Sequence, residues 1–205
     1  MLDRMALKLS KPFLDRMADY AICGRVTADQ MSVAGLALGL FAALLIALGF
    51  PAIAILPLLA GRIADGLDGA IARGCDEQTH RGAFIDITFD FLFYAAVPLA
   101  FAIANPAQNA LAGAMLLAAF IATGTSFLAY ASIAARRGEL NAAYPTKGIY
   151  YLGGLTEGSE TILLFLACCM WPGWFPLLAY IYAALCAITT ATRIKAGWDG
   201  FGMDP

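Results

Sequence analysis

The sequence predicts an all-α fold, a polytopic membrane protein with six transmembrane helices and an interfacial helix at its N-terminus. Three observations lead there. Of the 205 residues, 61% are hydrophobic and only 14% are charged, with a mean hydropathy of +0.74. Such a chain has little polar surface to turn toward water. The apolar residues also fall into runs of about the ~20 residues that cross the hydrocarbon core as a helix. Finally, the Lys and Arg residues gather at alternate connections, as positive-inside topology requires. The length suits one domain, 1–205, and neither an internal repeat nor a low-complexity tract is visible. A net charge of −2 gives no support for nucleic-acid binding.

Residues 1–24 mix Leu2, Met5, Ala6, Leu9, Phe13, Met17 and Tyr20 at three- and four-residue steps with Arg4, Lys8, Lys11 and Arg16. This is the pattern of an amphipathic helix in the membrane interface, bent or broken at Pro12; a helix packed on a partner subunit would read the same way. The stretch has no long apolar run and carries acids, so it is neither a cleavable signal nor a transit peptide. Thr27 with Gln30 makes a capping box ahead of the first span. The spans are expected at about 31–49, 52–73, 83–104, 108–135, 148–170 and 175–195. Gly49-Phe50-Pro51, Asn105-Pro106 and Trp171-Pro172-Gly173-Trp174 are the turns on one side.

Twelve of the thirteen Lys and Arg residues lie at the other side, in the N-terminus, the 74–82 and 136–147 links, the C-terminus and the adjoining span ends; Arg62 is the exception. That places both termini and the open end of the acidic stretch in the cytoplasm. Cys23, Cys75, Cys168, Cys169 and Cys186 form no C-x-x-C pair, and an odd number scattered over apolar segments reads as small packing residues.

Residues 65–90, DGLDGAIARGCDEQTHRGAFIDITFD, hold six of the fifteen acids. Asp65 and Asp68 stand at i, i+3, and Asp86 and Asp90 at i, i+4, so each pair leaves one helix face. The short link makes the two helices antiparallel, and they are expected side by side. Four carboxylates near a bilayer need a counter-charge. Arg62, Arg73 and Arg81 offer three, which leaves the set underpaired. Divalent ions answer the problem better: oxygen-only ligands suit Mg²⁺ or Mn²⁺, and four converging carboxylates can bridge two ions. No Cys or His accompanies them as zinc would want. Gly69 and Gly82 keep the walls open to a bulky phosphate, though with Gly66, Ala70 and Ala72 such small residues also serve close helix packing. Arg73 either snorkels to the interface or binds a phosphate.

The pattern D-x-x-D-G-x-x-A-R-x8-G-x3-D-x3-D is complete as Asp65, Asp68, Gly69, Ala72, Arg73, Gly82, Asp86 and Asp90. It resembles the signature of the CDP-alcohol phosphotransferase (phosphatidyltransferase) family. Beyond the motif the likeness is architectural. The resemblance implies transfer of a phosphatidyl group from a CDP-linked donor, usually CDP-diacylglycerol, to an alcohol, with release of CMP. It implies that Asp65, Asp68, Asp86 and Asp90 hold Mg²⁺ or Mn²⁺, two ions, and that Asp90 is also the general base. It implies donor contacts from Gly69, Ala72, Arg73, Thr79 and Gly82. Asp29 and Gln30, in the segment before the first span, would help hold the nucleotide; on residue type alone Thr79 reads as a plain loop residue. A homodimer and the bacterial inner (cell) membrane are the assembly and location expected.

The acceptor is less legible. Glu157 and Glu160 at i, i+3 near the start of the fifth span need an explanation inside a membrane. They bind acceptor hydroxyls or an amine, or they pair with Arg62 or Lys147. Lys147 and Arg193, with Arg136, Arg137 and Lys195, bind an acceptor phosphate or only anchor the chain. Asp90 is followed by Phe91-Leu92-Phe93, where phosphatidylglycerophosphate synthases of this family commonly carry a basic residue, which weakens a glycerol-3-phosphate acceptor. His80, the lone histidine, sits in the link. The rival from another class is a transporter or channel with an acidic cation site, which paired repeats of discontinuous helices would favour. An intramembrane prenyltransferase is the enzymatic rival, and its motif spacing fits less well.

Overall fold

The computed structural model describes residues 26–74, 79–137 and 154–202. Among these residues there are six α-helices and no strand: α1 (Ala28–Ala47), α2 (Pro51–Gly74), α3 (His80–Ala104), α4 (Pro106–Arg136), α5 (Gly158–Met170) and α6 (Phe175–Gly200). Four stretches are long and apolar enough to cross a membrane: Ala28–Ala47, His80–Ala104, Pro106–Arg136 and Pro172–Gly200. α2 has 24 residues but carries Arg62, Asp65, Asp68 and Arg73. The expected N-terminal helix at 1–24, together with Cys23, Cys75 and Lys147, lies outside the described residues.

The boundaries follow local chemistry. The Thr27 side chain accepts from the Gln30 N–H at 3.3 Å, and the Gln30 side chain accepts from the Thr27 N–H at 3.1 Å, closing the expected capping box. α1 ends where Gly49 takes φ +87°, a conformation that suits glycine. Gly49 N–H donates to Ile46 O and Phe50 N–H to Leu45 O, each at 2.9 Å; this pair is the Schellman arrangement. Pro51 then starts α2, where a missing N–H does no harm. Asn105 closes α3 and caps α4 through its side chain, which accepts from Gln108 N–H at 3.3 Å.

Two expectations need correction. The fifth span was expected from 148, but in the described residues its helix begins only at Gly158. The residues before it have polar partners that compete with helix formation: Gly154 N–H donates to Glu157 Oε1 at 2.9 Å and Leu155 N–H to Thr189 Oγ1 at 3.2 Å. The thirteen residues of α5 span about 20 Å, short of the ~30 Å hydrocarbon core. The second correction concerns α2 and α3. They do not form a close-packed pair; both pack on α1, α3 also packs on α4, α4 on α6, and α2 touches α5. Small residues on α1 explain the choice. A Cβ on Gly61 would stand 2.9 Å from Gly35 O, and one on Gly35 would stand 3.1 Å from Gly61 O. The backbones of α1 and α2 therefore meet without side chains between them.

The core is aromatic and aliphatic: Phe93, Phe101, Phe165 and Phe175 are fully buried with Ile46, Leu58 and Leu116. Phe101 stacks on Phe175 with ring centroids 4.5 Å apart. Cys168, Cys169 and Cys186 are buried free thiols within it, as packing residues should be. Many large apolar residues face outward, Leu56 and Leu111 among them, which suits a lipid surround. Gly61→Val is expected to cost about 1–3 kcal/mol by overpacking the α1–α2 contact and to lower the unfolding midpoint in detergent. Gly173→Ala, with nothing within 4 Å of the added carbon, should leave that midpoint unchanged; equal midpoints for both variants would contradict the close contact.

Candidate functional site

Three helices build the site. Asp65 and Asp68 lie in the C-terminal half of α2, and Asp86 lies two turns into α3. One carboxylate oxygen from each of these three falls within 4.8 Å of the others. Because α2 and α3 are held apart by their shared packing on α1, the side chains meet across the gap between the two helices. Asp68 is buried and accepts a hydrogen bond from Ser32 Oγ on α1; Asp65 is half-buried and Asp86 exposed. The trio thus runs from a fixed, buried end to an open one. Three ionised carboxylates at this spacing repel by roughly 3–4 kcal/mol per pair at an effective dielectric of ~20. An all-oxygen donor set of this charge fits a hard divalent cation of the Mg²⁺ or Mn²⁺ kind.

Asp90, expected as the fourth ligand, lies outside the trio and is engaged by Arg62. Arg62 Nη1 donates to Asp90 Oδ1 at 2.8 Å and to Asp65 Oδ2 at 3.4 Å, so one guanidinium links α2 to α3. Its carbon lies 4.3 Å from the Phe93 ring centroid, one turn beyond Asp90, a cation–π distance. Of the two roles open to Arg62 from the sequence, counter-charge to the cluster or partner of the fifth-span acids, the structure shows the first.

The residues expected to meet a nucleotide divide by what already occupies them. The three atoms nearest the place of a Gly69 Cβ all belong to the Arg73 guanidinium, with Nη1 at 3.1 Å, and Arg73 is exposed. Ala72, half-buried, precedes it. Thr79 is the N-cap of α3: its hydroxyl accepts from Gly82 N–H at 3.0 Å. A Cβ on Gly82 would stand 3.3 Å from that hydroxyl oxygen, so the glycine leaves the cap room. Gln30 serves the α1 capping box, and Asp29 pairs with Arg81 at 2.9 Å, joining the N-termini of α1 and α3.

Of the residues expected near an acceptor, Glu157 is buried ahead of α5 and accepts from Gly154 N–H, while Glu160 lies in the first turn of α5. Arg193 is buried on α6 and donates to Thr123 O on α4 at 3.0 Å. Thr161 and Tyr182 hydroxyls meet at 2.8 Å, and Thr156 donates to Thr189 at 3.1 Å. In this polar lining between α5 and α6, Thr156 and Thr161 stand beside the acids in the sequence and are expected with them; Tyr182 and Thr189 are not foreseen. Ser32 was also missed. Its signal was faint but present: it is the only hydroxyl in the apolar helix α1.

An apolar helical frame around a carboxylate trio, which could hold a cation, defines the class as a helical membrane protein. The family model for CDP-alcohol phosphatidyltransferase matches residues 25–192, and the chain belongs to that family; it is a phosphatidyltransferase by class. It is 48% identical over 201 residues to inner membrane protein YnjF of Escherichia coli K12, a match over 98% of this chain and 96% of that protein. Its fold is similar to crystal structures of Mycobacterium tuberculosis phosphatidylinositol phosphate synthase (PgsA1). The form with CDP-DAG bound gives a TM-score of 0.70 at 22% identity over 94% of this chain and 97% of that one. The form in complex with manganese and citrate gives 0.69 at 22% identity over 94% and 92%.

Proposed function

We propose that this protein transfers a phosphatidyl group from CDP-diacylglycerol to a small alcohol, with CMP as the leaving group, in a reaction that needs Mg²⁺ or Mn²⁺. The observation that carries this is the convergence of Asp65, Asp68 and Asp86 within 4.8 Å, inside a complete family motif. That the mycobacterial synthase was solved with CDP-DAG and with manganese supports the choice of donor and ion.

Asp65, Asp68 and Asp86 would hold the first ion, and Asp90 beside Asp65 would complete the place for a second. Bound there, the metal would neutralise the pyrophosphate and stabilise the charge that develops on departing CMP. The chain's own groups do the rest. Gly69 leaves space for the donor phosphates, and Arg73, above it, supplies a charge for them; Ala72, Thr79, Gly82, Asp29 and Gln30 border the same side. Asp90 takes the proton of the acceptor hydroxyl. The acceptor oxygen bonds to the phosphorus that carries the diacylglycerol, the bond from that phosphorus to the bridging oxygen breaks, and the electron pair leaves with CMP. Glu157, Glu160 and Arg193 line the proposed acceptor side, with Lys147 outside the described residues.

Six spans, an interfacial helix at 1–24, cytoplasmic termini, a site open to the cytoplasm and a homodimer complete the proposal. The inner-membrane location is supported by the E. coli relative, an inner membrane protein. The test is CMP release from CDP-diacylglycerol in detergent, with Mg²⁺ or Mn²⁺ and a panel of alcohols that includes glycerol phosphate and inositol phosphate. CMP release that depends on both metal and one alcohol is the expected result. Purified protein inert toward CDP-diacylglycerol and CDP-linked head groups alike would overturn the proposal.

A further inference from the structure

Trp198, in the last turn of α6, is the most exposed of the large apolar residues among those described, at 84%. An indole of this size is costly to leave in water. Packing on another side of the same turn holds it out. The Phe201 ring centroid lies 4.6 Å from that of Tyr130 on α4, and Arg137 Nη1 donates to Gly200 O at 3.2 Å. The end of α6 is therefore tied to α4, and Trp198 stays on the outside.

Three features say what covers it. Ile181, Ala184, Ile188, Ala191, Lys195 and Trp198 follow at three- and four-residue steps, and all are exposed. The indole thus ends the outward stripe of a helix apolar enough to cross a membrane. At the other end of α6 stands Trp174, 63% exposed. The two indoles are about 36 Å apart along the helix, a few ångströms beyond each face of a ~30 Å hydrocarbon core. Lys195, in the stripe one turn before Trp198, can extend toward phosphates, and the exposed Asp199 follows directly, where an acid wants water.

We propose that Trp198 inserts into the phospholipid headgroup layer at the end of the bundle that carries the carboxylate trio, and fixes the level at which that end meets the membrane. The ring lies against the uppermost acyl carbons, the indole N–H donates to an ester or phosphate oxygen, and the Lys195 ammonium meets a phosphate. A second copy is the poorer occupant, because a two-fold contact of α6 with α6 would bring two Lys195 side chains together. The level bears on the trio. Asp68 lies about 26 Å along α2 from Pro51, at the opposite end of the bundle, so the trio stands inside the same leaflet, below the plane that Trp198 marks. The inference holds whatever reaction the site performs.

The test reads depth. Full-length protein with Trp171→Phe and Trp174→Phe keeps Trp198 as its one indole. It is reconstituted in phosphatidylcholine vesicles that carry bromine near the carbonyl end of the acyl chains or near their middle. Shallow bromine should quench the emission at least about twofold more than deep bromine, and iodide on both sides of the membrane should quench it weakly. With Trp198→Phe and Ala191→Trp added, the indole moves about 10 Å along the same stripe, and the order of the two bromines should reverse. Equal or stronger quenching of Trp198 by deep bromine overturns the proposal, as does the same order at both positions. Quenching by iodide alone places Trp198 in water and overturns it. Quenching by none of the three places it under protein, a second copy or residues 1–24, and overturns it too. Should the doubly substituted chain not fold, Trp198→Phe alone reads the same quantity by difference: it should remove part of the shallow quenching, and an unchanged signal overturns the proposal.

Discussion

Asp90→Asn is expected to slow CMP release by about 10²–10⁴-fold, the range a positioned general base contributes, while binding of CDP-diacylglycerol stays measurable. The expectation comes from where Asp90 sits. It lies outside the carboxylate trio and is held by Arg62, so its amide leaves Asp65, Asp68 and Asp86 in place for the ion. Asparagine keeps the size and can still accept from the guanidinium, and Arg62 retains Asp65 as a charged partner. The fold should therefore survive and the donor should still bind. Measured as CMP release beside equilibrium binding of a donor analogue, turnover within tenfold of the wild type would remove Asp90 as the base. Lost donor binding would show instead that Asp90 serves the donor.

Asp68→Asn should fail in the opposite order, losing the ion first and turnover with it. Asp68 is the buried member of the trio, fixed by Ser32. Its amide can still meet the serine hydroxyl, so what the substitution removes is charge at the closed end of the site. Turnover should fall by at least about 10²–10³-fold, the scale for one element of electrostatic stabilisation, and Mn²⁺ affinity should fall in parallel. Raising the ion concentration should recover part of the loss for Asp68→Asn and far less for Asp90→Asn, because no ion replaces the lost base. That contrast separates a ligand from a base more sharply than either activity alone. If ion affinity were unchanged in Asp68→Asn, the trio would not be the cation site.

The helices and the motif were largely legible in the sequence, because hydrophobic run length and carboxylate spacing are local properties. The capping box at Thr27 and Gln30, the break at Gly49 and the turn at Asn105 were also readable from residue type. What misled was the inference from a short link to neighbouring helices. Chain connection makes α2 and α3 consecutive, but contact is decided by which surfaces fit, and Gly35, Gly39 and Gly61 favour α1. The start of α5 was misplaced for a related reason: the partners that hold residues 154–157 in a non-helical path include Thr189, 34 residues away from Leu155. Ser32 and Arg62 each carry a signal visible only as a polar residue in an apolar helix. Their partners, on other helices, are known only once the helices are packed.

The missing side chains at Gly35 and Gly61 have a consequence for chemical selectivity. The place of a Gly35 Cβ is 3.4 Å from Asp65 N and 3.7 Å from Asp65 Cβ, so the glycine contact sits directly behind one of the ion's proposed ligands. The position of Asp65 in the trio therefore depends in part on a backbone-to-backbone approach remote from the carboxylate oxygens. If the trio holds an ion as proposed, a side chain added at Gly35 or Gly61 would shift its fit to a smaller or larger divalent metal while every carboxylate stays the same.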